Sequence, residues 1–302
     1  MNDQTTLATH QDPGAIIALV TNSLTSAHSK RAYSKALTDF LRWMQSNGKP
    51  FTKATIQEYK QSLTGSPASI NLKMSAIRKL ATEAADNGLL DQQIANGISR
   101  VSGVTSHGVR AGNWLSKQQA QNIILAPNVL TLKGLRDRAI LAVMIGGGLR
   151  RSEVAALTFA HIQQRDGRWV IVDLIGKGNR VRSVPIPSWV KLAIDEWAGV
   201  AEISQGSVFR AIHKGGFIQH ESLTPQAIRD IVKLYGEQIG KPEVAAHDLR
   251  RTFAKLAHKG GSGLDQIQLS LGHASIKTTE KYLGVTQNLT DAPCDHLGLV
   301  LE

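Results

Sequence analysis

In the stretch "SAHSKRAYSKALTDFLRWMQSNG", Tyr33, Leu37, Phe40, Leu41 and Met44 recur every three or four residues. That spacing lines one face of a helix, and Asn47-Gly48 ends it. The pattern returns in "SPASINLKMSAIRKLATEAADNG" with Ile70, Met74, Ile77, Ala81 and Ala84, closed by Asn87-Gly88, and "KATIQEYKQSL" predicts a shorter helix between the two. Residues 99–113, "SRVSGVTSHGVRAGN", lose the periodicity and are rich in Gly and Ser, as a linker is. "WLSKQQAQNIILAP" restarts a helix, with Ser116 and Gln119 at capping-box spacing. "LRDRAILAVMIGGG" is strongly apolar and predicts the central helix of a second core.

The period then changes. "RWVIVDL" and "RVRSVPI" are short β-rich runs joined by Gly176-Lys177-Gly178-Asn179, which predicts a small antiparallel sheet with Lys177 on its turn. From about residue 188 onward the chain reads as helix. The expected fold is mainly α with a small antiparallel β-sheet, in two domains. Residues 1–100 form a helical domain, 101–113 a linker, and 114–302 a mixed α/β domain.

Composition adds a partner class. The formal charge is +11 and the sequence pI about 9.8. Residues 1–100 hold 11 Lys/Arg against 7 Asp/Glu, and residues 101–302 hold 24 against 17, so both parts are basic. Spread positive charge favours a polyanion that touches both domains. Lys30, Arg31, Lys35, Lys73, Arg78 and Lys79 lie on the polar faces of the first helices, either as ordinary solvated charge or as a positive surface on a DNA groove. Cys294 is the only cysteine, which excludes an intrachain disulfide and a thiolate zinc cluster. The polar N-terminus has no signal-peptide core, and the longest apolar run spans 11 residues. A soluble, cytoplasmic protein is the expectation, with no membrane partner.

Three clusters carry candidate chemistry. In "HDLRRTF", His247 and Arg250 stand three apart at a helix start and share a face, whereas Arg251 is turned about 100° away. The pair is either an anion site or a surface cluster at a helix end. "GLRRSEV" repeats the doubled arginine, with Glu153 placed to hold the guanidinium of Arg150 and Arg151 expected to point elsewhere, as Arg251 does. Two guanidinium forks from separate helices suit a phosphodiester, and Lys177 adds an ammonium, unless "GKGN" is simply a good turn. In "LDQIQLSLGHASIKTTEKYLG", His273 stands at a helix exit and Tyr282 on the following short helix. A phenol is a nucleophile only beside a base or a strongly cationic site. Tyr33 lies on an apolar stripe, and Tyr59 and Tyr235 have no such motif around them.

In this order and at these separations, "GLRRSEV", "GKGNRVRSVPI", "HDLRRTF", "LGH" and Tyr282 resemble the tyrosine recombinases, the phage-integrase family. The resemblance implies a two-domain DNA clamp: a helical core-binding domain and a catalytic domain of integrase type. It implies that Arg150 and Arg250 bind the scissile phosphate, Lys177 protonates the departing 5′-hydroxyl, His247 assists proton transfer at the tyrosine, and His273 hydrogen-bonds the phosphate. Tyr282 would form a 3′-phosphotyrosyl link, with neither metal nor cofactor. The implied partners are double-stranded DNA with short inverted core sites and a homotetramer assembled on it. An accessory or directionality protein is a further implied partner, in a bacterial, nucleoid-associated setting. Helices beginning near residue 13 leave no additional arm-binding domain in the expectation. A type IB topoisomerase-like relaxing enzyme and a catalytically silent DNA-binding protein on the same scaffold are the alternatives.

Overall fold

A computed structural model describes residues 12–105, 113–176, 180–273 and 275–283, with backbone alone at His28, His220, Glu221, Lys281 and Tyr282. The chain divides into two compact units, Met1–Arg110 and Ala111–Glu302.

The first unit is built from α1 (Pro13–Asn22), α2 (Ala27–Ser46), α3 (Lys53–Ser62), α4 (Pro67–Asp86) and α5 (Gln92–Ser99). Side-chain oxygens of Ser26, Thr52, Ser66 and Asp91 accept from backbone N–H groups in the first turns of α2 to α5. A cap of this kind is worth about 1 kcal/mol. Leu37, Phe40 and Met44 of α2 face Met74, Ile77 and Ala81 of α4, all buried. Phe40 meets Tyr59 edge-on with centroids 5.0 Å apart. Tyr59 is 3% exposed, and its burial pushes the phenol up to about 12. Residues 101–105 are tied to this unit. Lys60 Nζ donates to the Ser102 carbonyl (2.9 Å), and Asn71 exchanges two hydrogen bonds with the Val104 backbone (2.9 and 2.7 Å).

In the second unit α6 (Lys117–Leu125) begins with the Ser116–Gln119 capping box. It leads to α7 (Leu132–Gly146), whose residues 139–145 are all buried. Then come α8 (Arg151–Ala155) and three antiparallel strands in the order β1-β2-β3: β1 (Ile162–Arg165), β2 (Arg168–Ile175) and β3 (Val181–Ile186). Helices α9 (Ser188–Val200), α10 (Pro225–Gln238), α11 (Ala246–Lys259), α12 (Leu264–Leu271) and α13 (Ile276–Leu283) complete the helical shell.

The expectation of helix throughout after residue 188 is corrected by a second hairpin, β4 (Arg210–Ile212) with β5 (Ile218–Ser222). Its strands are too short and too polar for a period-2 signal. What stabilises them is tertiary: Ile212 and Ile218 pack against the main core.

One polar network is sealed inside this unit. The Asp137 carboxylate accepts from Arg136 Nε (3.0 Å) and Nη2 (2.8 Å) and from the Tyr235 hydroxyl (3.1 Å), and Arg136 Nη1 donates to the Arg210 carbonyl (3.2 Å). The network joins α7, α10 and β4. Burial raises the Asp137 pKa, against the opposing pull of Arg136, and burial beside Asp137 raises that of Tyr235.

Candidate active site

The site grows from the loop before α8. Gly148 has φ +61°, and a Cβ there would lie 2.5 Å from the Phe253 ring, so only glycine lets the chain turn this tightly against α11. Arg150 follows in an extended conformation (φ −74°, ψ 149°) as the residue capping α8. Its backbone N–H donates to Glu153 Oε2 (2.7 Å) and its Nη1 to Glu153 Oε1 (2.7 Å).

Glu153 is the hub. Arg182 of β3 grips the same carboxylate with its two terminal guanidinium nitrogens, Nη1 and Nη2, each at 2.8 Å. Arg250 Nη1 stands 3.9 Å from Oε2. Burial opposes ionisation of Glu153, yet the bonds and charges of Arg182 and Arg150 outweigh it and bring its pKa down to about 2. Three guanidiniums around one carboxylate leave a surplus of positive charge.

Arg250 is 1% exposed. Its Nη1 donates to the Gly148 carbonyl (2.6 Å) and its Nη2 to the Leu271 carbonyl, so one side chain joins the loop before Arg150 to the end of α12. Arg182 Nε donates to the Ser270 carbonyl (2.8 Å). Gly272 ends α12 with φ +61°, and a Cβ there would fall 2.8 Å from Arg182 Cδ. His273 follows at once, with Nδ1 3.0 Å from the hydroxyl of Thr279, which is fully buried. Desolvation, then the charges of Arg250, Arg150, His247 and Arg182, lower the His273 pKa to about 4.

A cleft of roughly 360 Å³ opens over this hub. Arg150, Arg151 and Ser152 line it from the start of α8, Arg229 from α10, and His247 and Arg250 from α11. His247 is exposed, and its pKa is lowered by desolvation and then by the charges of Arg251 and Arg250. Both histidines therefore favour the neutral form, and an anion in the cleft would reverse the charge effect.

The doubled arginines resolve differently. In α11 the rotation holds: Arg250 is buried, and Arg251 is about a third exposed and pairs with Asp248 (3.5 Å). At α8 it does not. Arg150 lies outside the helix, so the 100° rule has no purchase, and Arg151 lines the same cleft as Arg150.

Lys177 lies outside the described residues; the strand ends flanking it are joined by Gly176 N–H to the Arg180 carbonyl (2.8 Å). Tyr282 is described in its backbone alone, within α13, whose Leu283 packs with Ala254, Ile267 and Leu271. In the first unit Lys30, Arg31 and Lys35 are exposed along the start of α2. Lys73 stands 3.9 Å from Asp39, Lys79 pairs with Glu83 (2.9 Å), and Arg78 bonds the Met74 carbonyl and the Ser75 hydroxyl. Among the described residues no group of three His, Cys, Asp or Glu is placed to hold a metal ion. No helix there is long and apolar enough to cross a membrane.

Sequence reasoning missed Arg182 and Arg229. For Arg182 a signal existed: residues 182, 184 and 186 alternate inward on β3, and an arginine in that register needs a buried partner. Arg229 reaches the cleft through the packing of α10, which no local pattern announces.

The phage integrase family signature matches residues 113–288, and that of the phage integrase N-terminal SAM-like domain matches residues 18–88. Tyrosine recombinase XerC of Myxococcus xanthus is 30% identical over 275 residues, covering 86% of this chain and 88% of that protein. Tyrosine recombinase XerC of Pseudomonas putida is 28% identical over 267 residues, covering 85% of each. Among solved structures, the XerH site-specific recombinase bound to difH substrate in a pre-cleavage complex has a TM-score of 0.69 at 15% identity, covering 95% of this chain and 94% of that one. A lambda integrase dimer bound to a COC′ core site has a TM-score of 0.65 at 16% identity, with 90% and 75% covered. These two likenesses show the shared two-domain fold. The signature match over residues 113–288, together with the Myxococcus relative, shows that the chain belongs to the phage integrase family, the tyrosine recombinases.

Proposed function

We propose that this recombinase cleaves and rejoins DNA strands at short inverted core sites through a 3′-phosphotyrosyl intermediate on Tyr282. One observation carries the reading: Arg150 and Arg250, a hundred residues apart, line one cleft together with His247, above a carboxylate that both approach. Such a cleft takes a phosphodiester and stabilises the charge that grows on its oxygens in the transition state. The Tyr282 oxygen attacks phosphorus and passes its proton to His247. The bond to the 5′-oxygen breaks, and that oxygen takes a proton from Lys177. His273 hydrogen-bonds the phosphate. The new ester keeps the energy of the old one, so the reverse step religates without ATP. Burial of Tyr59 and Tyr235 removes both as nucleophiles. The two units correspond to a core-binding and a catalytic domain. The working assembly is a homotetramer on two core sites in the bacterial cytoplasm, at the nucleoid, with accessory proteins setting direction.

The test is a nicked suicide duplex built on a short inverted repeat, sought in the DNA around the gene. A covalent protein–DNA adduct is expected, and it should vanish in Tyr282→Phe. Binding without an adduct would instead favour the catalytically silent protein. Relaxation of supercoiled plasmid without joining of two sites would favour the topoisomerase-like reading.

A further inference from the structure

We propose that Arg151, Ser152 and Arg229 form a second phosphate subsite, which grips a DNA phosphate next to the scissile one. This inference rests on the cleft being the recombinase active site and deepens that reading. The cations lining the cleft fall into two groups of different character. In one, Arg150 and Arg250 are tied to the Glu153 hub, to the Gly148 carbonyl or to both, and their geometry is fixed before DNA arrives. In the other, Arg151 and its neighbour Ser152 are exposed, and Arg151 has no ion-pair partner among the described residues.

Arg229 lines the same cleft from α10, which packs against α8. The Arg229 side chain is 54% exposed and, among the described residues, pairs with its neighbour Asp230, 56% exposed (Nη2–Oδ1 3.1 Å). An ion pair so open to water is weak, and a phosphate can replace it. Asp230 is not stranded by the exchange, since Gln226 Nε2 already donates to both of its oxygens (3.1 and 3.3 Å). Charge points the same way. The hub alone holds a positive surplus, enough for the single charge of the scissile phosphodiester. Arg151 and Arg229 add further cations in the same cleft, and a DNA strand supplies its next phosphate one nucleotide away.

The experiment replaces single phosphates on either side of the scissile one by uncharged methylphosphonates in the nicked duplex described above. Wild type, Arg151→Gln, Arg229→Gln and Arg229→Lys are compared for binding and adduct formation. Arg229→Gln is expected to weaken binding about 10-fold. It should also lower the salt dependence by about one phosphate contact, and Arg229→Lys should restore part of the loss. At one flanking position the methylphosphonate should cost wild type a similar factor and cost Arg229→Gln nothing further. Asp230→Asn should tighten binding. If wild type forms the adduct but no flanking position shows this loss of additivity, the subsite is wrong and the enzyme reading stands. If wild type forms no adduct, the enzyme reading falls and takes the subsite with it.

Discussion

The two units treat charge in opposite ways. Among the described residues of the first, Thr55 and the phenol of Tyr59 are the buried polar groups, neither of them charged, and the core of α2 and α4 is apolar throughout. In the second, Arg136, Asp137, Glu153, Asp248 and Arg250 are all buried. Buried charge is costly unless paired and hydrogen-bonded, and it adds little net stability even then. A unit that carries so much of it gains geometry instead: Glu153 and Arg250 fix α8, β3, α11 and the end of α12 relative to one another. The first unit keeps its cations outside the core, where under the proposed function they would attract a polyanion without specifying the position of any one atom.

The sharpest test of positioned against merely attractive charge removes one cation of each kind from the second unit. Arg150→Ala or Arg250→Ala should slow cleavage roughly 100-fold or more, by analogy with the loss of one oxyanion donor. Arg251→Ala, which removes a partly exposed group paired with Asp248, should change cleavage much less. Single-turnover cleavage of the suicide duplex measures both. Equal losses from Arg250 and Arg251 would remove the distinction between positioned and merely attractive charge.

A second test concerns stability away from the cleft. Asp137→Ala leaves Arg136 buried without its carboxylate, so a loss of about 3–5 kcal/mol is expected. Lys79→Met removes a partly exposed i,i+4 pair in the first unit and should change stability by about 0.5 kcal/mol or less. Urea unfolding reads both, with tryptophan fluorescence arising from Trp43 in the first unit and from Trp114, Trp169, Trp189 and Trp197 in the second. Comparable losses would mean that the second unit does not depend on its internal ion pairs as described.

How much of this was legible in the sequence follows from the same contrast. The first unit is written in local terms, with apolar residues at helical spacing and Ser, Thr or Asp at helix starts, so α2, α3 and α4 were readable directly. In the second unit α7 and the β2–β3 hairpin were equally plain, because each carries its own period. The β4–β5 hairpin was not, since its two short polar strands owe their pairing to the core beneath them. The site was readable as motifs: Arg150, Glu153, His247, Arg250 and His273 do come together. Its supports were less so. Arg182 and Thr279 act through contacts 29 residues from Glu153 and six from His273, and Arg151 was misplaced because Arg150 precedes the helix assumed to contain it.

His273 offers a pH test. Its folded pKa is about 4, below the ordinary 6.5, with desolvation the largest cause and the nearby arginines next. The unfolded chain therefore takes up a proton near 6.5 while the folded one does not. Stability from this group is fully present above pH 6.5 and is lost as pH falls towards 4. Urea midpoints of wild type and His273→Gln should differ most at pH 7 and draw together on the way to pH 4.5. A difference independent of pH would mean that His273 titrates normally. DNA bound in the cleft should oppose the trend, because a phosphate raises the pKa that the arginines lower.

The smallest effects belong to the first unit. Lys30, Arg31 and Lys35 are exposed, whereas Lys73 and Lys79 already face Asp39 and Glu83. A cation that contacts a phosphate releases counterions on binding, so Lys35→Gln should reduce the slope of log K against log salt by about 1. Lys79→Gln removes a charge that Glu83 already offsets, and its net effect on the slope should be nearer zero. Neither should alter the cleavage rate once DNA is saturating, because neither side chain belongs to the unit that holds the cleft. A cleavage rate that fell with Lys35→Gln at saturating DNA would show that the first unit positions the scissile phosphate as well as attracting it, and the division of labour between attraction and positioning would fail.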